Sequence, residues 1–321
     1  MNTNTATIRA TSASVIGARH QHAGRNGQDA AATFVGEGIA VAVVCDGCSS
    51  GASSEVGARL GARWFAERLG QALVAGASVE DRATWEAARR DVATRMRMLV
   101  AVNELATTRQ ARSVFCARAA CMAARVDAPA GAGADPAGAH AAGACAAGGD
   151  VASADVASAD VARAAAIDAD ASDVDGIDAD AVHDLLLFTV VAAAITAEGA
   201  AVWALGDGAY GYDGVVRVLG PFPDNAPPYL AYDLLGDPRD AHFEVLPSAR
   251  RVVIATDGAQ DLDYDLVAFG AISLINPDSL RRRLVILARG EERIAWGEGR
   301  VHRTPAVLQD DCAVAILERL A

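Results

Sequence analysis

The chain has 321 residues, 52% of them hydrophobic, which is enough to bury a sizeable core. It contains no lysine, so all 28 basic residues are arginine, and Schiff-base chemistry, a phosphate-loop lysine and a kinase-type lysine are excluded together. The net charge of −13 is concentrated: residues 127–184 hold twelve Asp, one Arg and no Glu, a local −11 that leaves −2 elsewhere and no basic stripe for a nucleic acid.

In chain order, residues 13–17 and 31–45 read as strands, joined by the loop GARHQHAGRNGQDA. Residues 53–74 read as an amphipathic helix capped by Ser53 or Ser54, with Val56, Leu60, Trp64 and Leu69 on one face. A second helix spans about 82–108, with Trp85, Met96, Leu99 and Val102 inward. Between Phe115 and Phe188 there is no aromatic residue, only an Ala, Gly, Asp and Ser-rich stretch with the repeat DVASADVASADVARA. Such a composition buries too little apolar surface to offset the ordering of the chain. A disordered insertion at about 127–182 is therefore expected within a single domain spanning 1–321. Strands resume at 185–196, 200–206, 209–213, 251–256 and 312–318, with a helix near 277–289 before the last of them.

The most apolar stretch, LLLFTVVAAAITAEGAAVWALG at 185–206, is interrupted by Glu198-Gly199 and reads as two strands and a turn, not a membrane span. The N-terminal MNTNTATIRATS has no apolar signal core, and the six cysteines read as free thiols, so a cytoplasmic location is expected. Cys45 and Cys48 straddle an Asp-Gly turn. No second pair stands at zinc spacing, so packing outweighs a metal or redox role for them.

The chemistry lies at strand ends. VAVVCDG at 41–47, VVIATDG at 252–258 and VWALGDG at 202–208 each run from an apolar strand into an acid, and DDCAVAIL at 310–317 begins with an acid pair. A buried strand pins its end residue, so the pattern can gather Asp46, Asp257 and Asp310 from distant parts of the chain. Close carboxylates stay ionised together only with positive charge between them, and a divalent metal is the natural source. An all-oxygen site of carboxylates, carbonyl and water suits Mg²⁺ or Mn²⁺ better than zinc.

These pieces, in this order, resemble the type 2C (PPM) metal-dependent protein phosphatases, and their bacterial branch most. The matching segments are SVIGARHQHAGRNGQDA, VVCDGCSSGASSEVGA, FTVVAAAI, LGDGAYGYDG, APPYLAY, VVIATDGAQDL and LQDDCAVAIL. The resemblance implies an α+β fold, a four-layer αββα sandwich of two mainly antiparallel sheets flanked by helices. It implies two divalent ions, Mn²⁺ or Mg²⁺, with Asp46 bridging them, the carbonyl of Gly47 on one, and Asp257 and Asp310 on the other. Asp29 matches the acid of the family's first motif, and His20 stands where many relatives carry a phosphate-contacting Arg. Asp46, Asp29 and His20 are thus the expected catalytic set. Asp184 is a weak match to an acid that binds a further metal, Asp207 and Asp311 read as supporting residues, and Arg25 as a possible phosphate contact at an unusual spacing. Gln28 replaces a metal-binding Glu found in some relatives, and Cys48 a proton-donating His.

The activity implied is hydrolysis of phosphoserine and phosphothreonine in proteins, targets of a serine/threonine kinase, by a metal-bridging hydroxide, with no nucleic-acid or membrane partner. The alternative is a catalytically weak or inactive phosphatase-like protein that binds phosphoproteins in signalling. The presence of Asp46, Asp257 and Asp310 weighs against it. A haloacid-dehalogenase-type phosphatase would need Asp-x-Asp directly after a strand and a later Lys, and neither is found.

Overall fold

Apolar runs ending in Asp-Gly turns become two antiparallel sheets. The computed structural model describes residues 7–102, 177–223 and 226–320. The insertion expected at about 127–182 lies outside the described residues up to 176, as do Cys116, Cys121, Cys145 and the second helix beyond 102. The chain is helical again from Ala179, before the expected end of that segment.

The strands are β1 (Ile8–Val15), β2 (Ala30–Gly36), β3 (Ile39–Gly47), β4 (Phe188–Thr196), β5 (Ala200–Leu205), β6 (Gly208–Tyr212), β7 (Val215–Leu219), β8 (His242–Leu246), β9 (Arg251–Ala255), β10 (Glu291–Ala295), β11 (Arg300–Thr304) and β12 (Cys312–Arg319). The helices are α1 (Ala18–Ala23), α2 (Ser54–Val74), α3 (82–102), α4 (Ala179–Leu186), α5 (Leu266–Gly270) and α6 (Ser279–Leu287). One sheet runs β1-β12-β9-β6-β7 and the other β2-β3-β4-β5-β8, while β10 and β11 pair only with each other.

Alternation along each strand builds the layers. In β3, Ala40, Ala42 and Val44 meet Ile254, Ala313 and Ala315 of the facing sheet. Val41, Val43 and Cys45 point the other way, into a cluster with Phe65, Leu69, Trp85 and Met96 of α2 and α3. On the far side, Val253, Ala255, Val314 and Ile316 pack against Leu266 and Phe269 of α5 and Leu280 and Leu284 of α6. The result is the αββα sandwich expected from the sequence. Central strands covered on both faces explain why their sequences are continuously apolar.

Several local expectations are corrected. The run 31–45 is a hairpin, β2 and β3, that turns at Glu37-Gly38. The first strand lies at Ile8–Val15, and part of the loop after it is α1. The inward face of α2 is Ala58, Ala62, Phe65, Leu69 and Leu73, whereas Val56 is exposed, because Gly57 and Gly61 let the helix close onto Phe188 of β4. Neither serine caps α2 through its side chain, and the Ser54 hydroxyl donates to the Cys48 carbonyl instead. Val102 on α3 is exposed. Arg89 of the same helix holds Asp233 with two bonds of 2.6 and 2.7 Å, which anchors the 229–235 segment near the acids.

Candidate active site

Antiparallel pairing brings the acids to one end of the sandwich. In one sheet, Val15 ends β1 opposite Cys312, which begins β12. Ala255 ends β9 opposite Val314 of β12 and Ala209 of β6. The chain therefore delivers Asp257, Asp310, Asp311 and Asp207 to the same edge. In the other sheet, Asp46 ends β3 beside Thr189 of β4, and Asp29 stands directly before β2. Two glycines allow the close approach. A Cβ on Gly258 would lie 1.7 Å from the Asp311 carbonyl oxygen, and one on Gly47 would lie 2.9 Å from the Gln28 carbonyl and from Ser54 Oγ. The Asp-Gly pairs thus let the turn after β9 press against β12, and the end of β3 against the start of β2.

Asp29 is 5% exposed and its Oδ2 accepts from Thr256 Oγ1 at 2.5 Å. Burial raises its carboxyl to about 8. Hydrogen bonds with Asp46 and Thr256 act against that rise, and the charges of Asp257 and Asp311 add to it. Asp46, half-buried at the end of β3, is held well above the ordinary carboxylate range, first by burial and then by the charges of Asp29 and Asp257. Asp257 is raised to about 6, by burial and then by Asp207 and Asp310. Asp207 is raised by burial, although Thr189 hydrogen-bonds it, and its Oδ1 is buried without a partner among the described residues. Among the largest influences on Asp29, Asp46 and Asp257, each neighbouring charge is that of another acid. Carboxylates brought together in this way, with an orphaned oxygen beside them, fit hard divalent cations held by oxygen.

Asp310 is exposed, and its place is set from behind. Asp261, on the same turn as Asp257, accepts from the backbone N–H of Gln309 at 2.7 Å and of Asp310 at 3.0 Å. The next residue, Asp311, is 3% exposed. Its Oδ1 accepts from the Gly17 N–H at 2.8 Å, and its Oδ2 from the Gln28 N–H at 2.6 Å and from His20 Nδ1 at 2.8 Å. Because an ionised carboxylate only accepts, Nδ1 carries the proton and Nε2 is the ring's remaining polar atom. His20, Asp310 and Asp311 each offer a ligand atom within 4.8 Å of the others.

The remaining candidates separate. Gln28, 6% exposed, spends its side chain on Ser54 Oγ at 3.0 Å and the Cys48 carbonyl at 3.3 Å, bracing the loop after β3. Asp184 lies exposed on α4, and its carbonyl receives the Ser53 N–H. Arg25 is exposed beside a polar cavity of about 210 Å³. His22 bonds its own helix carbonyl at Ala18. Cys45, Cys48 and Cys312 are free thiols. Burial pushes the Cys48 thiol up, but hydrogen bonds with Ser50 and Tyr229 outweigh it and the net shift is downward.

Sequence reasoning undervalued three supports. Thr256 and Asp261 follow β9 inside VVIATDGAQDL, a segment read for Asp257 alone. Asp311, which reads from the sequence as a supporting residue, gathers three donors from the His20 segment. The signal for the last was the acid pair before β12: one strand-end carboxylate faces out and its neighbour must turn inward and be satisfied there.

No helix among the described residues is long and apolar enough to cross a membrane. None of the curated proteins compared matches the chain. Among solved structures, the serine/threonine phosphatase Stp1 from Staphylococcus aureus is similar at 11% identity and TM-score 0.49, over 97% of this chain and 95% of that one. The S. agalactiae serine/threonine phosphatase is similar at 11% identity and TM-score 0.48, over 97% and 99%. PppA of Pseudomonas aeruginosa is similar at 11% identity and TM-score 0.46, over 98% of both chains. The family model PP2C_2, protein phosphatase 2C, matches residues 16–286, from the end of β1 through α6. On that match over most of its length, the chain belongs to the protein phosphatase 2C family.

Proposed function

We propose that this protein hydrolyses phosphoserine and phosphothreonine in protein substrates and depends on divalent cations to do so. The observation that carries the reading is the gathering of Asp46, Asp207, Asp257 and Asp310 around one end of the sandwich, where their charges act on one another. Asp46, the Gly47 carbonyl, Asp257 and Asp310 would hold the ions. Bound Mn²⁺ or Mg²⁺ would supply charge neutralisation at the phosphoryl oxygens and make water acidic enough to serve as nucleophile near neutral pH.

The residues of the chain do the rest. Asp46 interacts with Asp29, which precedes β2, and with Asp257, which follows β9, so it would link the acids of the two sheets. Thr256 and Asp261 fix Asp29 and the loop that bears Asp310. Asp311 holds His20 with Nδ1–H inward, and in the imidazolium form Nε2–H can donate to a phosphoryl oxygen or pass its proton to the departing serine or threonine oxygen. No covalent nucleophile is required, because phosphoryl transfer depends mainly on positioning and charge stabilisation. The protein acts on the products of a serine/threonine kinase.

The test is hydrolysis of para-nitrophenyl phosphate and a phosphothreonine peptide with Mn²⁺, with Mg²⁺ and with chelator. Turnover of both substrates only with metal is the expected result. Failure to turn over either substrate at any metal concentration would overturn the reading.

A further inference from the structure

The hairpin of β10 and β11 belongs to neither sheet, and nine of its ten strand residues are exposed. An isolated two-stranded ribbon is marginally stable in water, yet this one displays large apolar groups. Ile294 and Val301, paired across the ladder, are 50% and 52% exposed, and Trp296 in the turn is 85% exposed. Residues directly opposite in an antiparallel pair share a face. Arg293 opposite His302, and Arg300 opposite Ala295, therefore lie on the other face. Arg303 is paired with Glu292 and His302 with Glu298, while among the described residues Arg293 and Arg300 form no ion pair. The ribbon thus offers an aromatic tip and two uncompensated guanidinium groups.

Its location ties it to the candidate site. β11 ends at Thr304, and six residues on is Asp310, a reach of at most about 20 Å. The connecting segment is fixed to the helix that carries His20: the Ala18 N–H donates to the Leu308 carbonyl at 3.2 Å and the Arg19 N–H to the Gln309 carbonyl at 3.0 Å. A cleft of about 500 Å³ runs between the base of the hairpin and α1, lined by His22, Glu291, Arg303 and Gln309 among others. A peptide with its phosphorylated residue near Asp310 has an open path along this cleft to the hairpin.

We infer that the hairpin is a docking arm for an acidic segment of the phosphoprotein substrate, a few residues from the phosphorylated side chain. Arg293 and Arg300 pair with its carboxylates and Trp296 covers one of its apolar side chains. The inference rests on the phosphatase reading. Charge complementarity selects the occupant: Arg293 and Arg300 have no acidic partner among the described residues, so their charge is available to attract an acidic segment.

The experiment compares the wild type with the triple variant Arg293→Ala, Trp296→Ala, Arg300→Ala in Mn²⁺. The substrates are para-nitrophenyl phosphate and two phosphothreonine peptides, one with acidic and one with basic flanks. Binding of the labelled acidic-flanked peptide is followed in parallel by fluorescence anisotropy. The wild type should favour the acidic flanks. The variant should lose that preference through KM, with kcat/KM falling roughly five- to fiftyfold, as expected from removing one aromatic anchor and two rim charges. Its turnover of para-nitrophenyl phosphate should be unchanged. Equal peptide preference and equal peptide binding in the two proteins would overturn the docking arm, as would a variant that only converts a dimer to a monomer in sedimentation. A wild type that binds the acidic peptide through the hairpin but hydrolyses nothing would overturn the phosphatase reading and leave the docking arm standing.

Discussion

His20 Nδ1 donates to Asp311 Oδ2 at 2.8 Å, and the same buried carboxylate takes the backbone N–H groups of Gly17 and Gln28. One side chain therefore sets both the ring orientation of His20 and the path of the segment that leads from β1 to Asp29. Three donors on two oxygens is a demand an amide cannot meet, because its NH₂ would face at least one N–H.

Asp311→Asn should accordingly cost about 1–3 kcal/mol of stability, the range for a buried donor left unmade. His20→Ala should slow turnover by roughly ten- to a thousandfold, the span of one lost acid or electrostatic donor, with little change in metal affinity. If Asp311 acts on the reaction through His20, the double variant should be no slower than His20→Ala. Losses in kcat that add in the double variant would make Asp311 a purely structural residue.

Asp46 should be the acid that the site can least spare. It interacts with Asp29, Asp257 and Asp207 at once. Asp46→Asn should abolish turnover without rescue by excess Mn²⁺ and still fold, because Val41 and Val43 on its strand are fully buried. Asp257→Asn and Asp310→Asn should each weaken mainly one ion and recover part of their activity in excess Mn²⁺. Calorimetric titration of metal into the three variants reports the stoichiometry. Normal binding of two Mn²⁺ by Asp46→Asn, with near-native turnover, would refute its bridging role.

The strands that build the centre were legible because both of their faces are covered. β3, β4, β5, β9 and β12 read as apolar runs, and the step from apolar to acidic marked the site end of β3 and β9. β7, β8, β10 and β11 escaped because they lie at sheet edges or outside the sheets, where exposure removes the hydrophobic signal. α1 escaped for a similar reason. ARHQHA is short and polar, and it is fixed by tertiary bonds from 308–309 and by Gly24 in the left-handed region, at φ 64°. At the site, the strand-end acids were visible one at a time. That Asp310 faces out while Asp311 is buried depends on β12 pairing with β1, a contact across almost the whole chain.

Thr256 should be as important to the fold as to the site. Its hydroxyl donates to Asp29 Oδ2 and accepts from the Ala313 N–H at 2.9 Å, joining the two sheets at the end where the acids meet. Thr256→Val keeps the shape but strands both partners, at a cost of about 1–3 kcal/mol. Thr256→Ser should recover most of the loss. Urea unfolding with an unchanged slope reads this directly, and equal midpoints for wild type and Thr256→Val would show that the bridge contributes nothing.

Without metal, the folded protein should lose stability as pH rises. Burial raises Asp257 to about 6 and Asp29 to about 8, while both titrate near 4 in the unfolded chain. Between about pH 4 and pH 8 the folded state keeps protons that the unfolded state has released. The unfolded state binds fewer, so the free energy of unfolding decreases with increasing pH across that window. A divalent cation replaces those protons, so its binding at pH 7 should release protons, and its stabilising effect should grow as proton competition fades. The thermal midpoint in chelator should fall from pH 5 to pH 8, and added Mn²⁺ should raise it more at pH 8 than at pH 5.5. Calorimetry in buffers of different ionisation enthalpy should show the released protons. A midpoint in chelator that stays level or climbs over that range would mean that Asp29 and Asp257 are already ionised without metal, and that the acids are not crowded enough to require a cation.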